Sequence, residues 1–342
     1  MSRRALTTFL AVVLAAALAV AGALQTVPYV LLSPGPAFNT LGTVGSTQVL
    51  TIKGGRTYPT DGALEATTVS VTDHVTLFEA LRGWVSRDDA VIPREIVYPP
   101  DRTQQQTDQQ NAQDMRQSQD DATVAAMAVL GITGHTEVGI AVVNPKGPAD
   151  GRLQVGDVLT AVDGKRVTSL PGLRSLISAR RPGAAVKIGY TRGTKPGTVT
   201  LRTTASPDSP PRAVIGIQAM TRSEFPVKVD IKLRDVGGPS AGLMFALGIV
   251  DKLQPGSLTG GRVVAGTGEI DEKGKVGAIG GIAQKMRGAR AARATVFLVP
   301  AANCDEARRT RPKDLRLVRV TTLQSALDAL AALRRGADPA SC

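Results

Sequence analysis

From Ala5 to Leu24 the chain runs for twenty residues without a charge. At about 1.5 Å of helical rise per residue, that length matches the ~30 Å hydrocarbon core of a bilayer. Arg3 and Arg4 stand before it, and a basic cluster in that place stays on the cytoplasmic side while the rest of the chain lies outside. Val27–Leu32 prolongs the apolar run, so residues 1–32 read as an uncleaved single-pass anchor. A cleaved signal peptide competes, because Ala21-Gly22-Ala23 offers a small-residue site. Either reading exports the protein. Ser33-Pro34-Gly35-Pro36 then breaks the helix and marks the exit from the membrane.

Beyond the exit the periodicity changes. Thr47–Val71 is rich in Thr and Val, with turn signals at Gly54-Gly55 and Asp61-Gly62, and predicts short strands. Leu77, Phe78, Leu81, Trp84 and Val85 recur at helical spacing. Residues 33–100 thus predict a small α/β module. Residues 101–121 hold eight glutamines and hardly an apolar side chain, so 101–130 is either a polar helix leading into the apolar run from Val124 or a flexible linker.

A compact unit follows at 131–205. A strand (Gly139–Val143) precedes a hairpin turned at Asp163-Gly164. Leu170, Leu173, Leu176 and Ile177 share a helix face, and strands centre on Ile188 and Val199. Gly147-Pro148-Ala149-Asp150-Gly151 before Leu153-Gln154-Val155-Gly156-Asp157-Val158 is similar to a PDZ domain of the bacterial protease-associated kind. That resemblance implies capture of a peptide as an added strand. The carboxylate-binding loop of such domains is not visible; only Gly131–Val138 stands where it would be. Ser206-Pro207 to Pro210-Pro211 reads as a closing linker.

Residues 212–335 predict an α/β domain. A strand (Val227–Leu233) leads to Val236-Gly237-Gly238-Pro239-Ser240-Ala241-Gly242 and then the apolar run Leu243–Val250. Pro239 suits the first position of a helix, which would put Ser240 at a helix N-terminus, where free N–H groups favour a developing oxyanion. Simple capping gives the same pattern.

Composition narrows the chemistry. The 342 residues carry 41 Lys+Arg against 29 Asp+Glu, a net +12, and are 42% hydrophobic but 3% aromatic. The length allows two or three domains. A basic chain suits nucleic acid or anionic lipid, yet base-stacking platforms are scarce here and no nucleic-acid partner is expected. Two His and two Cys exclude an iron–sulfur protein, a disulfide scaffold or a multi-finger zinc protein; no cofactor and no metal is expected. Cys304 and Cys342 are an even pair in an oxidising compartment, which allows a disulfide. The twelve Lys+Arg between Lys285 and Arg335 read as a solvated face.

Thr267-Gly268-Glu269-Ile270 and Gly280-Gly281-Ile282-Ala283-Gln284-Lys285 complete the pattern. With Gly-Pro-Ser-Ala-Gly at 238–242 they are similar to the proteolytic domain of the Lon peptidases. The resemblance implies Ser240 as nucleophile and Lys285 as its base. PDZ and Lon-type domains behind an apolar N-terminal segment resemble the YlbL-like membrane-anchored peptidases. Physical chemistry agrees independently: a serine needs a base, and neither His74 nor His135 falls in this domain. A lysine serves only when burial keeps it neutral. Lys285 has Ile282 and Met286 at helical spacing, whereas Lys273 and Lys275 sit in a polar turn and Lys232 on a solvated strand face. Thr267 is placed to orient the amine. Many Lon-type domains carry an Asp where this chain has Gly237, and Asp235 is not assumed to replace it. The chain contains no Gly-x4-Gly-Lys-[Ser/Thr] phosphate loop.

The expectation is an α+β multidomain protein: N-terminal transmembrane helix, small α/β module, PDZ domain and Lon-type proteolytic domain. Its function would be that of a single-pass, ATP-independent serine endopeptidase of the cell membrane, mostly extracytoplasmic. Its partners would be exported or membrane-tethered protein substrates, with the PDZ domain recruiting them or gating the site. The rival is a non-enzymatic PDZ adaptor with a degenerate Lon-like docking domain.

Overall fold

The computed structural model describes residues 3–233 and 236–342, so Asp235 lies outside the described residues. Helix α1 (Arg3–Leu24) comes first, with Leu6, Phe9, Leu10, Leu14, Leu18 and Val20 exposed. Among the described residues no helix is long and apolar enough to cross a membrane, so the span expected over 1–32 is not found. The helix also stops short of Val27–Leu32. Those residues enter strand β1 (Tyr29–Asn39), where Val30 is fully buried.

Next come β2 (Leu50–Lys53), β3 (Ala63–Thr72), α2 (Leu77–Val85), β4 (Ala90–Pro93) and the 26-residue helix α3 (Gln104–Val129). The chain then passes into a separate compact unit, 132–226. That unit holds β5 (His135–Val143), β6 (Val158–Val162), α4 (Leu170–Ser178), β7 (Ala185–Arg192), β8 (Lys195–Arg202) and β9 (Ile217–Glu224). The chain returns to the first unit through β10 (Lys228–Ile231), α5 (Gly242–Leu253), β11 (Val263–Gly266), β12 (Glu269–Ile270) and β13 (Val276–Gly277). It ends with α6 (Ile282–Ala291), β14 (Val296–Pro300), α7 (Cys304–Thr310), β15 (Arg316–Val320) and α8 (Leu323–Arg334).

Both ends of the chain build the first unit. Its six-stranded sheet runs β15-β14-β11-β3-β1-β4. The β15, β14, β11 and β3 neighbours are parallel, whereas β3-β1-β4 are antiparallel. All five residues of β14 are buried, as a parallel strand covered on both faces requires. Helix α5 is apolar on every side, and Leu243–Asp251 is buried throughout, as befits a central helix. Residues 33–100 are therefore no independent module. β3 pairs with β11, Ala63 opposite Val263 and Ala66 opposite Gly266, and β2 pairs with β10. Residues 101–130 are helix rather than linker, capped by a Thr103–Gln106 box. Met115, Ser118, Ala122, Ala125 and Ala126 form the buried stripe of α3.

Ser33-Pro34-Gly35-Pro36 does not leave the fold either. It lies inside β1 as a bulge between Pro34 and Ala37. A side chain on Gly35 would stand 2.3 Å from Thr68 Oγ1, and one on Gly288 would stand 2.8 Å from the Gly35 carbonyl. Strand, bulge and α6 are in close backbone contact here, which only glycine permits. A disulfide joins Cys304 to Cys342, and Arg319 N–H donates to Ala340 O at 2.9 Å.

The second unit is a sheet of order β8-β7-β6-β5-β9 around Val138, Ile140, Leu159, Leu173, Ile188 and Leu201. Asp163 (φ 48°) and Gly164 (φ 80°) turn the expected hairpin. Buried Asp157 receives both arms of Arg192, at 2.7 and 2.8 Å, and the guanidinium holds its carboxyl below the usual range. Two expectations change. The run 206–211 is not the domain's end, because β9 continues the sheet and pairs with β5 from Ile217↔Val143 to Glu224↔His135. Half of Gly131–Val138, from His135 on, is strand, so it supplies no long carboxylate loop.

Candidate active site

In the first unit, Ser240 sits in the turn between β10 and α5. The helix starts at Gly242 with Ala241 as its cap, so Pro239 is not its first residue and Ser240 precedes the helix. Gly238 adopts φ 81°, a left-handed conformation natural to glycine. The helix's own first donors are occupied: Gly242 N–H reaches Pro239 O at 3.3 Å and Leu243 N–H reaches Gly268 O at 3.1 Å. Among the described residues, no hydrogen bond takes the N–H of Ser240 or Ala241.

Lys285 projects from the first turn of α6. Gly281 caps that helix with φ 68°, and the flanking Ile282 and Met286 are fully buried. Lys285 Nζ lies 2.7 Å from Ser240 Oγ and 3.2 Å from Thr267 Oγ1. The lysine is 4% exposed. Burial drives its pKa down to about 8, against an opposing pull from the Glu269 charge. Thr267 is fully buried and donates its hydroxyl to Ser240 O at 3.0 Å. Its oxygen therefore accepts an N–H from Lys285, which leaves the lone pair of the neutral amine for Ser240.

The pair lies in a cleft of about 570 Å³. β1 contributes Leu32, Pro36 and Phe38 to its wall, β3 contributes Thr67–Val71, and Met115 of α3 and Glu269 of β12 join them. Partial desolvation at the cleft wall, then the nearby Asp114 charge, raises the pKa of the otherwise exposed Glu269, and Lys285 opposes the rise. Sequence reasoning brought together Ser240, Lys285 and Thr267 but missed Glu269 and α3. Asn111 O accepts from Gly238 N–H at 3.0 Å, and Ser118 Oγ donates to Pro239 O at 2.8 Å. A Cβ on Gly237 would stand 2.9 Å from Asn111 Cβ. α3 thus fills the space beside the position where a third carboxylate was missed. The buried small-residue stripe of α3 was the available signal.

The two histidines stay apart from this chemistry. His74 belongs to the first unit, contrary to expectation, but it is largely exposed beside Asp73 and does not line the cleft. Among the described residues, His135, Glu137 and Glu224 of the second unit could group around a metal ion. Their side chains already pair at 3.1 and 3.8 Å.

With this geometry in view, comparison with known proteins is informative for two segments. The family model for the Lon protease (S16) C-terminal proteolytic domain matches residues 229–332. The family model for the PDZ domain matches residues 112–203, beginning inside α3. Among solved structures, the chain is similar to the PDZ domain of an SdrC-like protein from Listeria monocytogenes, at 30% identity over 24% of this chain and 86% of that one, TM-score 0.23. It is likewise similar to the PDZ domain of an SdrC-like protein from Listeria innocua, at 29% identity over 24% and 92%, TM-score 0.23. No curated protein matches the chain significantly.

Proposed function

We propose that this chain, a PDZ–Lon-type peptidase by the two domains it carries, is an ATP-independent serine endopeptidase acting through Ser240 and Lys285. The carrying observation is the 2.7 Å approach of a buried lysine to a serine at the mouth of a cleft. Neutral Lys285 takes the hydroxyl proton as Ser240 Oγ attacks the scissile carbonyl. The N–H groups of Ser240 and Ala241, which no hydrogen bond takes among the described residues, would receive the oxyanion. Lys285 then passes its proton to the departing amine, leaving an acyl-serine ester. Water, deprotonated by Lys285, hydrolyses that ester, releases the carboxylate product and restores the serine.

The uncharged stretch Ala5–Leu24 and the exposed apolar side chains of α1 support an exported protein held at the membrane. Exported or membrane-tethered polypeptides would then be the substrates, and the PDZ domain would recruit them or gate the cleft.

The test uses the full chain in detergent, with a fluorophosphonate probe and an unfolded protein substrate. Labelling and cleavage are expected in the wild type and lost in Ser240→Ala and Lys285→Met, with unchanged thermal unfolding cooperativity. Undiminished labelling of Ser240→Ala would refute the assignment.

A further inference from the structure

We infer that Ser118 of α3 is a positioning residue for the reaction, setting one of the two oxyanion donors from behind. This inference rests on the dyad reading above. The Pro239–Ser240 peptide carries both groups concerned: its carbonyl accepts the Ser118 hydroxyl at 2.8 Å, and its N–H is that of Ser240. The bond is trans, since the one cis peptide among the described residues is Ser209–Pro210. In a trans peptide the C=O and N–H lie in one plane and point in opposite directions. A hydroxyl that pins the carbonyl therefore turns the N–H away from Ser118, within a turn whose Ser240 lines the cleft.

The contact is built to be rigid. Ser118 is 3% exposed, and Pro239 O also accepts Gly242 N–H at 3.3 Å, so two donors fix the carbonyl. A Cβ on Gly242 would stand 2.7 Å from Ser118 Oγ, so the hydroxyl reaches the turn only because α5 begins with a glycine. About two turns earlier, Asn111 O holds Gly238 N–H at 3.0 Å. The nucleophile turn is thus fastened twice to one helix. Donors fixed before the reaction stabilise developing charge without reorganising, which is the largest single contribution in many acyl transfers.

Ser118 touches no substrate, so its removal should damage the tetrahedral state and spare ground-state binding. The full-length protein, its Ser118→Ala variant and a Ser118→Thr variant that keeps the hydroxyl are compared. A peptide boronic acid, which forms a tetrahedral adduct on serine, is the transition-state probe. KM for an unfolded protein substrate reports ground-state binding, and thermal unfolding reports integrity. Expected for Ser118→Ala are an inhibition constant and a kcat each worse by about tenfold, a share of the ~10²–10³ that losing a whole oxyanion donor costs. KM stays within about twofold, and Ser118→Thr recovers most of the loss. Equal effects on KM and kcat, no effect on the boronate, or a Ser118→Thr variant as impaired as Ser118→Ala would overturn the inference. A wild type that forms no boronate adduct at Ser240 would overturn the dyad itself, and this inference with it.

Discussion

Replacing Glu269 by Gln should make the peptidase relatively more active near neutrality, although it removes a charged group from the cleft. The sign follows from the base. Lys285 must be neutral to act, and its pKa near 8 leaves about one molecule in eleven competent at pH 7, where an ordinary lysine would leave roughly one in three thousand. Activity should therefore rise about tenfold per pH unit below the midpoint and level off above it. Glu269 works against that arrangement, because its negative charge favours the ammonium form. The carboxylate lines the cleft and is exposed, so solvent screens it. An effect of about half a pKa unit, roughly 0.7 kcal/mol, is the appropriate scale. Glu269→Gln then moves the midpoint down by about half a unit, and the competent fraction at pH 7 grows to about one in four. The ratio of rates at pH 7 and pH 9 climbs from about 0.1 to about 0.25, and taking the ratio cancels any change in intrinsic basicity. The assay is the second-order rate of labelling by an uncharged fluorophosphonate between pH 6 and 9.5. A wild-type profile with no limb near pH 8, or a Glu269→Gln limb that stays put or moves up, would refute the reasoning.

Two further outcomes follow from the same geometry. Gly237→Asp, which installs the carboxylate seen in many related domains, should lower both the labelling rate and the melting temperature, because its Cβ meets Asn111 Cβ at 2.9 Å. Faster labelling by Gly237→Asp would show that α3 yields. Reducing the Cys304–Cys342 bridge, which spans 38 residues, should cost the first unit up to about 3–4 kcal/mol and lower its melting temperature while leaving the pH midpoint of labelling in place. A moved midpoint would mean that the tail reaches the cleft.

The elements that carry chemistry were legible because their signals are local. Gly-Pro-Ser-Ala-Gly, the helical spacing of Ile282, Lys285 and Met286, and the Asp163-Gly164 turn each announce themselves within a few residues. What stayed hidden is pairing at long range. β3 reads as a strand in a Thr- and Val-rich segment, but nothing near residue 63 states that its neighbour is residue 263. A bulged strand holding Pro34 and Pro36 reads as a break because each proline removes a ladder donor; the pairing survives by skipping Gly35 and Pro36, with Pro34 still opposite Val69. The glutamine-rich helix hid its role differently. Its buried face is made of Ala, Ser and two Met, too weakly apolar for a period count, and its two holds on the nucleophile turn come from a backbone carbonyl and a serine.

The order in which the chain is made gives this arrangement a timetable. β3 is complete about 200 residues before its partner β11, and the whole 132–226 unit lies between them. At a synthesis rate of about 5–20 residues per second, that interval lasts roughly 10–40 s. The second unit, whose strands pair among themselves, can close during that wait, whereas the six-stranded sheet cannot. Ser240 and Lys285, the proposed dyad, both lie in the last third of the chain, so a product that ends before residue 285 lacks the proposed base. Under the proposed mechanism, a chain unfinished at that point cannot attack its neighbours at the site of its own synthesis.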